Sequence, residues 1–528
     1  MDIAYDKIFS KIKHYAASNS AMLVYIALGK LFLNMMFHGQ YGYFRDELYY
    51  IACSDRLDWG YVDQPPFSIF ILAGSRRLLG DSLHAIRFPA ALAGALVVLL
   101  TGLMVRKLGG GRFAQAFAGL AAALAPVFLG NGARYFSMNA FDLLFWALAG
   151  YIIIMIIRDN NPRLWPLFGV VAGLGLLNKY SMLFLGFGLV MGLFLTKNRK
   201  HLINKWFWVA GLIAVVLFLP HIIWQVHHGY PSLEFMRRAS TEKNVAMNIL
   251  DFLTGQFLMT GFVQSVLWLT GLYYFIFHSK GRKYRLLSWM YFALLMVMII
   301  NNSKAYYLTP VYPMLIAGGV LLWESILDSG KKYWRRSLAV VLLVIPSLAI
   351  MPLAVPVLPV ETLISYMKFL KMTPKAEERQ SLGKLPQYYA DMFGWEEFTA
   401  TIAHVFQKLT PDEQAHCVIY VRNYGEAGAI DFFGKKYGLP KASSGHNNYW
   451  LWGPPEVEMK AAIILGNSRD LQENLNDLHG PGRFQQVELA ATTTCRYCMP
   501  YENNRQIFLC RKPAFTFQQI WPDEKNFI

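Results

Sequence analysis

Eleven apolar runs occupy the first two thirds of this 528-residue chain, and nothing else in the sequence constrains its fold as strongly. A helix that crosses a bilayer needs about 20 mostly apolar residues. The candidate spans are 20–37, 84–105, 113–130, 139–157, 164–178, 181–196, 206–225, 256–277, 286–301, 306–326 and 337–355. Runs 164–178 and 181–196 are short and separated only by Asn178-Lys179-Tyr180, which predicts a tight helical hairpin or one re-entrant piece. Only 16% of residues are charged, against about 25% in soluble domains. The net charge of +16 sits in short clusters between the apolar runs. That is the placement of topogenic loop charges rather than of a nucleic-acid-binding surface.

The charges also set orientation. Residues 1–19 are polar and basic (Lys7, Lys11, Lys13), and the run after them lacks a small-residue cleavage site, so it reads as an uncleaved first span. With the N-terminus in the cytoplasm, the inside loops carry Arg106, Lys107 and Arg112, then Arg158 and Arg163. The later ones carry Lys197, Arg199, Lys200 and Lys205, then Lys280, Arg282, Lys283 and Arg285, then Lys331, Lys332, Arg335 and Arg336. Each is basic, as the positive-inside rule requires. An odd number of spans then puts 356–528 outside. The expected organisation is a cytoplasmic N-terminus at 1–19, an α-helical membrane module of about eleven spans at 20–355 that includes the outer loop 38–83, and a periplasmic α/β domain at 356–528.

The α/β reading of the last part rests on short apolar runs alternating with helical stretches. Strands are expected at 417–421, 461–465, 485–490 and 506–510, and helices at 426–437 and 470–478. All five cysteines (Cys53, Cys417, Cys495, Cys498, Cys510) fall on the outer side. Cys498 and Cys510 flank a turn signal and are candidates for a hairpin disulfide, with free thiols as the alternative. Cys495 and Cys498 have metal-like or redox-like spacing, a weak signal for one pair alone.

Polar residues at span ends carry the functional signal. Asp46 and Glu47 lie just beyond the first span, where a carboxylate can act as general base; solvated loop charge, or acids at a helix N-terminus, would look the same. Asp63 sits in the rigid turn Gly60-Tyr-Val-Asp63-Gln64-Pro65-Pro66. Asp142, early in the fourth span, is costly there unless it faces a cavity or a partner, and Arg134 is a plausible partner. Lys179 and Lys304 are cations in short outer loops, suited to a phosphate near the headgroups or to simple snorkelling. Tyr306 and Tyr307 fit the interface. His221 either lines the same cavity or belongs to an aromatic belt. Lys30, inside the first span, is ambiguous. No Walker loop, dinucleotide glycine fingerprint or His-Glu-x-x-His is present, which removes a nucleotide-powered mechanism from the chain itself.

The order of these features resembles the bacterial protein O-mannosyltransferase-like group of GT-C glycosyltransferases (glycosyltransferase family 39-like), which includes the lipid A aminoarabinose transferase. The residues carrying the resemblance are Asp46-Glu47, Gly60 to Pro66, Arg87-Phe-Pro89, Arg134 with Asp142, Lys179-Tyr180, and Lys304-x-Tyr306-Tyr307-Leu-x-Pro310. Asn423-Tyr-Gly-Glu426 and Ser444 to Trp450 look like tails of some bacterial members. The resemblance implies an inverting hexosyl or pentosyl transferase of the bacterial inner membrane, moving sugar from a polyprenyl phosphate to an extracytoplasmic protein, lipid or envelope glycan. It makes Asp46 the base, with Glu47 beside it in the acceptor or donor site. Lys179 and Lys304, with Tyr306 and Tyr307, hold the carrier phosphate; Asp63, Arg134, Asp142 and His221 line the cavity. No cofactor is fixed, since some members use a divalent metal and some do not. The competing expectation is a polyprenyl-lipid transporter or flippase, which would more often show repeated halves and helices broken at the midplane. A third is a membrane scaffold without catalysis.

Overall fold

A computed structural model describes residues 20–243, 245, 247–327, 333–374, 378–466 and 470–528. Segment 1–19, expected in the cytoplasm, and Lys331 and Lys332 of the last basic loop lie outside the described residues. The chain divides into two compact units. The first comprises Met1–Gln40, Gly80–His221 and Ala246–Pro359, and the second Tyr41–Leu79, Ile222–Val245 and Val360–Ile528.

The first unit is helical. Among the described residues of the chain, six helices are long and apolar enough to cross a membrane: Leu83–Leu108, Met138–Asp159, Lys205–His227, Arg282–Ile300, Ala305–Leu327 and Trp334–Ala354. Ile249–Thr260 and Phe262–Phe277 would form a seventh, but they meet at 109°. Shorter apolar helices are Ala21–Phe37, Arg112–Leu124, Pro162–Leu176 and Ser181–Phe194.

Two of the expected runs are broken, and each break has a local cause. Within 256–277 the hinge is Gly261 at φ 90°, ψ 159°, backbone space that only glycine enters at low cost. Run 113–130 breaks at Ala125, whose extended backbone precedes Pro126, because a residue before proline is pushed out of the helical region. The short Pro126–Gly130 helix beyond the break explains Lys30. Its Nζ, buried in Ala21–Phe37, donates to the Leu129 carbonyl at 2.8 Å and to Asn34 Oδ1 at 3.1 Å. Carbonyls at a helix C-terminus lack helical partners, so this buried lysine is satisfied as a tether.

Helices Phe262–Phe277 and Tyr312–Leu327 pack through glycine at both faces. A side-chain carbon on Gly271 would overlap the Leu315 carbonyl, and one on Gly319 the Leu267 carbonyl. Small residues of this kind let apolar helices approach backbone to backbone.

The second unit carries a five-stranded sheet. Its strands are β1 (Cys417–Tyr420), β2 (Ala442–Ser443), β3 (Ala461–Leu465), β4 (Phe484–Thr492) and β5 (Gln506–Pro513), in the order β2-β1-β3-β5-β4. β1 is parallel to both β2 and β3, while β5 runs antiparallel to β3 and β4. The α/β pattern read from 417 onward is therefore present, with β2 added. The expected helix at 426–437 is Tyr424–Phe433 followed by a 3-10 turn, Gly434–Tyr437. Asn423 caps it by accepting from the Gly425 and Glu426 amides, and Glu426 accepts in return from the Asn423 amide. This capping box accounts for the Asn423 and Glu426 positions of the tail motif.

Two expectations change. The outer loop was grouped with the membrane module, but 41–79 belongs to the same compact unit as the C-terminal segment. Its helix Arg45–Ser54 lies against Tyr424–Phe433 at Gly428, where an added Cβ would come within 2.7 Å of Leu48 backbone. Cys498 and Cys510 are also unbonded, as are all five cysteines. Cys510 is enclosed in the sheet core with Ala462, Leu478, Phe484 and Phe508. Cys498 turns instead toward Cys495, donating its amide to Cys495 Sγ at 3.1 Å.

The glycine contacts generate a prediction of opposite signs. Gly319→Ala should destabilise the purified protein by about 1–3 kcal/mol through overpacking. Gly186→Ala, at a helical position with open space around it, should be neutral or stabilising by up to about 1 kcal/mol. Thermal unfolding in detergent checks both.

Candidate functional site

Two clusters gather the charged residues singled out by the sequence, one in each unit. In the second unit the acids lie in the first turn of Arg45–Ser54, where negative charge complements the helix dipole. Their fates differ. Glu47 is fully buried and accepts from the Phe44 amide at 2.9 Å, acting as a helix cap. Asp46 keeps 30% of its side chain exposed. Its Oδ1 accepts from the Tyr424 hydroxyl at 2.9 Å and lies 3.5 Å from Arg45 Nε.

Arg45 is nearly enclosed and is the hub of this cluster. Its Nη1 donates to the Tyr501 hydroxyl at 2.5 Å, and its guanidinium stands 3.8 Å from Asp391 and 4.0 Å from Glu378. The same group lies 5.5 Å from the Tyr424 ring centre. Burial pushes Asp391 up to about 6 against the opposing pull of Arg45.

Asp63 is held by an adjoining set of contacts. Burial raises it to about 6, although the Tyr49 hydroxyl at 2.9 Å favours its charged form. The Tyr49 hydroxyl also lies 3.0 Å from Asn448 Oδ1, which accepts the Val62 amide at 2.7 Å. Tyr424 continues the chain of contacts, with its ring 4.7 Å from Tyr49 and its amide donating to His446 Nδ1 at 3.4 Å. Desolvation holds His446 down at about 3, so it is the neutral acceptor this bond needs. Next to Asp63, Gln64 is fully buried and its side-chain amide makes no hydrogen bond among the described residues. A buried side-chain amide in that state is unusual.

In the first unit the hub is Lys179. Its Nζ donates to Asn139 Oδ1 at 2.6 Å and lies 3.8 Å from Asp142 Oδ2. It stands 5.4 and 5.3 Å from the ring centres of Tyr306 and Tyr307. The expected neighbours Lys179, Tyr306, Tyr307 and Asp142 therefore meet. The cation beside Asp142 is Lys179, where the sequence had offered Arg134, and Ser181 Oγ donates to the other carboxylate oxygen. Arg134 stands against Gly130 and the Tyr135 ring. His221 bonds the Tyr180 hydroxyl at 2.7 Å and packs on Phe218. Lys304 is half-buried at the N-terminal end of the 3-10 turn Ala305–Val311.

The hairpin predicted around Asn178-Lys179-Tyr180 explains how Lys179 reaches this place. Trp165–Leu176 ends and Ser181–Phe194 begins on either side of it, and Asn178 Nδ2 ties the turn to the Met138 carbonyl. Sequence reasoning missed Arg45, Tyr424, Asn448, Asp391 and Ser181 as partners. Tyr424 and Asn448 did lie inside noted motifs, and Arg45 adjoins Asp46; Asp391 carried no local signal. Among the described residues no group of three or more His, Cys, Asp or Glu side chains has the arrangement to hold a metal ion.

The model of the dolichyl-phosphate-mannose-protein mannosyltransferase family matches residues 63–224. The lipid A galacturonosyltransferase RgtD of Rhizobium johnstonii is 25% identical over 275 residues, covering 50% of this chain and 56% of that protein. The chain thus spans little more than half the length of that curated relative. Among solved structures, ArnT from Cupriavidus metallidurans in the apo state has a TM-score of 0.57 at 15% identity, over 93% of this chain and 97% of that one. The same protein bound to undecaprenyl phosphate gives 0.58 at 13% identity, over 93% and 98%. Archaeal oligosaccharyltransferase AglB from Archaeoglobus fulgidus, in complex with an inhibitory peptide and a dolichol-phosphate, gives 0.51 at 12% identity, over 84% and 69%. At such identities the structural likeness is one of fold. Sequence and fold point the same way: over residues 63–224 the chain is similar to the dolichyl-phosphate-mannose-protein mannosyltransferase family, and over nearly its whole length it shares the fold of ArnT.

Proposed function

We propose that the protein transfers a hexosyl or pentosyl unit from a polyprenyl-phosphate donor to an extracytoplasmic protein, lipid or glycan acceptor, with inversion. The observation that carries this reading is Asp46, a carboxylate anchored through one oxygen by Tyr424 yet still 30% exposed. Relatives point the same way. One is named for galacturonosyl transfer to lipid A, and a structural neighbour has been captured with undecaprenyl phosphate.

In the proposed step the acceptor hydroxyl attacks the anomeric carbon of the donor sugar. Its proton passes to Asp46 as the new carbon–oxygen bond forms, which general-base catalysis accelerates. The bond from the anomeric carbon to the phosphate oxygen breaks, and polyprenyl phosphate leaves with the electron pair. Lys179 and Lys304 stabilise the charge growing on that phosphate. Lys179 is pre-set for this by Asn139, Asp142 and the faces of Tyr306 and Tyr307, and Ser181 secures Asp142 in turn. Glu47 supports the base indirectly, by capping the helix that presents it. The reading places about eleven spans in the bacterial inner membrane and 356–528 in the periplasm.

Two substitutions test the roles. Deleting the gene should leave a polyprenyl-linked sugar accumulating and an envelope glycan or lipid lacking that sugar, by mass spectrometry. Wild-type protein should restore both. Asp46→Asn should transfer at a rate lower by about 10²- to 10⁴-fold, and full restoration by this variant would rule out the assigned base. Lys179→Met should cost about 10²-fold in kcat/KM toward the lipid-linked donor.

Asp63 gives a pH prediction. Its folded pKa of about 6 lies above the ordinary 3.8, so the unfolded chain loses this proton first and stability falls as pH rises between those values. Asp63→Asn removes that penalty, on the order of 3 kcal/mol. The variant should melt above wild type at pH 7.5, and the gap should close near pH 4.

A further inference from the structure

Among the groups in the second unit, Tyr424 stands out because its phenol touches the carboxylate assigned as base although the two are 378 residues apart in sequence. We infer that Tyr424 and Arg45 are positioning residues for Asp46, so that the C-terminal α/β segment is a working part of the catalytic apparatus; this rests on Asp46 being the base.

Four observations carry it. Both contacts fall on the same oxygen, Oδ1: the Tyr424 hydroxyl donates to it at 2.9 Å, and Arg45 Nε stands 3.5 Å away as an ion-pair partner. A carboxylate fixed by one oxygen has its orientation set while its other oxygen can take a proton. The holders are themselves held. Tyr424 opens a helix capped by Asn423, packs on Tyr49 and His446, and donates its amide to His446. Arg45 is locked by Tyr501, Asp391 and Glu378. Finally, the helix that carries Tyr424 needs glycine at two positions facing the acidic helix. A Cβ on Gly425 would overlap the Arg45 side chain, and one on Gly428 would crowd the Leu48 carbonyl. Simple packing of a surface domain does not need a phenol, a guanidinium and two close glycines converging on one half-exposed carboxylate.

The test uses full-length protein in detergent, with membrane lipid extract of the deletion strain as the donor and acceptor source and undecaprenyl phosphate as the binding probe. Tyr424→Phe should slow transfer at saturating extract by about 10- to 100-fold, the scale of a lost charge-assisted bond and a displaced base. Affinity for undecaprenyl phosphate should not change. In an Asp46→Asn background, Tyr424→Phe should add nothing, as a double-mutant cycle requires of residues acting as a unit. Tyr501→Phe removes only a hydroxyl that fixes Arg45 and should give the same split, smaller in size; it carries the test if Tyr424→Phe does not fold. Tyr449→Phe, which loses a hydroxyl bonded to Asp431, is the control and should turn over normally. Wild-type rates in both Tyr424→Phe and Tyr501→Phe, or equal losses from Tyr424→Phe with and without Asp46, overturn the inference. An active Asp46→Asn protein instead overturns the assignment of the base.

Discussion

A guanidinium taken out of water must be paired, and in the second unit the pairing of Arg45 organises everything around it. Desolvating a charge costs several kcal/mol even after relaxation. Arg45 answers that cost with Asp391, Glu378, Asp46 and the Tyr501 hydroxyl. Those partners come from the outer loop, from 378–391 and from the turn after Cys498. A chain that failed to bring any of them in would leave either a buried cation or a buried acid uncompensated. Asp391 shows the margin is narrow, since burial keeps it near 6 with the guanidinium beside it.

The same rule sorts the charges of the helical unit. Lys30 meets a helix-end carbonyl and an asparagine, which explains its tolerance without any chemistry. Lys179 meets an amide, a carboxylate and two aromatic faces. Stacking and amide contacts orient an ammonium without neutralising it, and the single carboxylate stands at 3.8 Å. One lysine is tied to a helix end, and the other is oriented by an amide, a carboxylate and two rings.

Helix existence was legible because about 20 apolar residues leave few alternatives. What escaped were breaks set by one residue, Gly261 and the Ala125-Pro126 step, since a hydropathy pattern does not register φ. The lysine, tyrosines and Asp142 were chosen for being polar where hydrocarbon was expected, and they do meet. Arg134 was offered to Asp142 on closeness in sequence, whereas the hairpin turn brings Lys179 there from farther away. Glu47 and Asp46 were indistinguishable as neighbours. Burial and the cap bond to Phe44 separate the structural acid from the exposed one. The disulfide failed for a similar reason. Turn signals gave the spacing of Cys498 and Cys510, but burial of Cys510 on β5 depends on which strand lies beside it.

Sheet topology explains why the α/β segment meets the acidic helix where it does. From β1 the chain crosses to β2 on one side, and the next strand, β3, pairs on the other, all three parallel. In open α/β sheets such a reversal opens a crevice beyond the carboxyl ends of the strands, where ligands usually bind. Asn423 and Tyr424 follow the end of β1, and His446 and Asn448 follow the end of β2. Here the occupant of that crevice is part of the same chain. Tyr424 grips Asp46, and Asn448 grips the Tyr49 hydroxyl and the amide of Val62, next to Asp63. The carboxyl edge of the parallel strands thus holds two acids of 41–79 in place, which gives the α/β segment a structural reason to be joined to that loop.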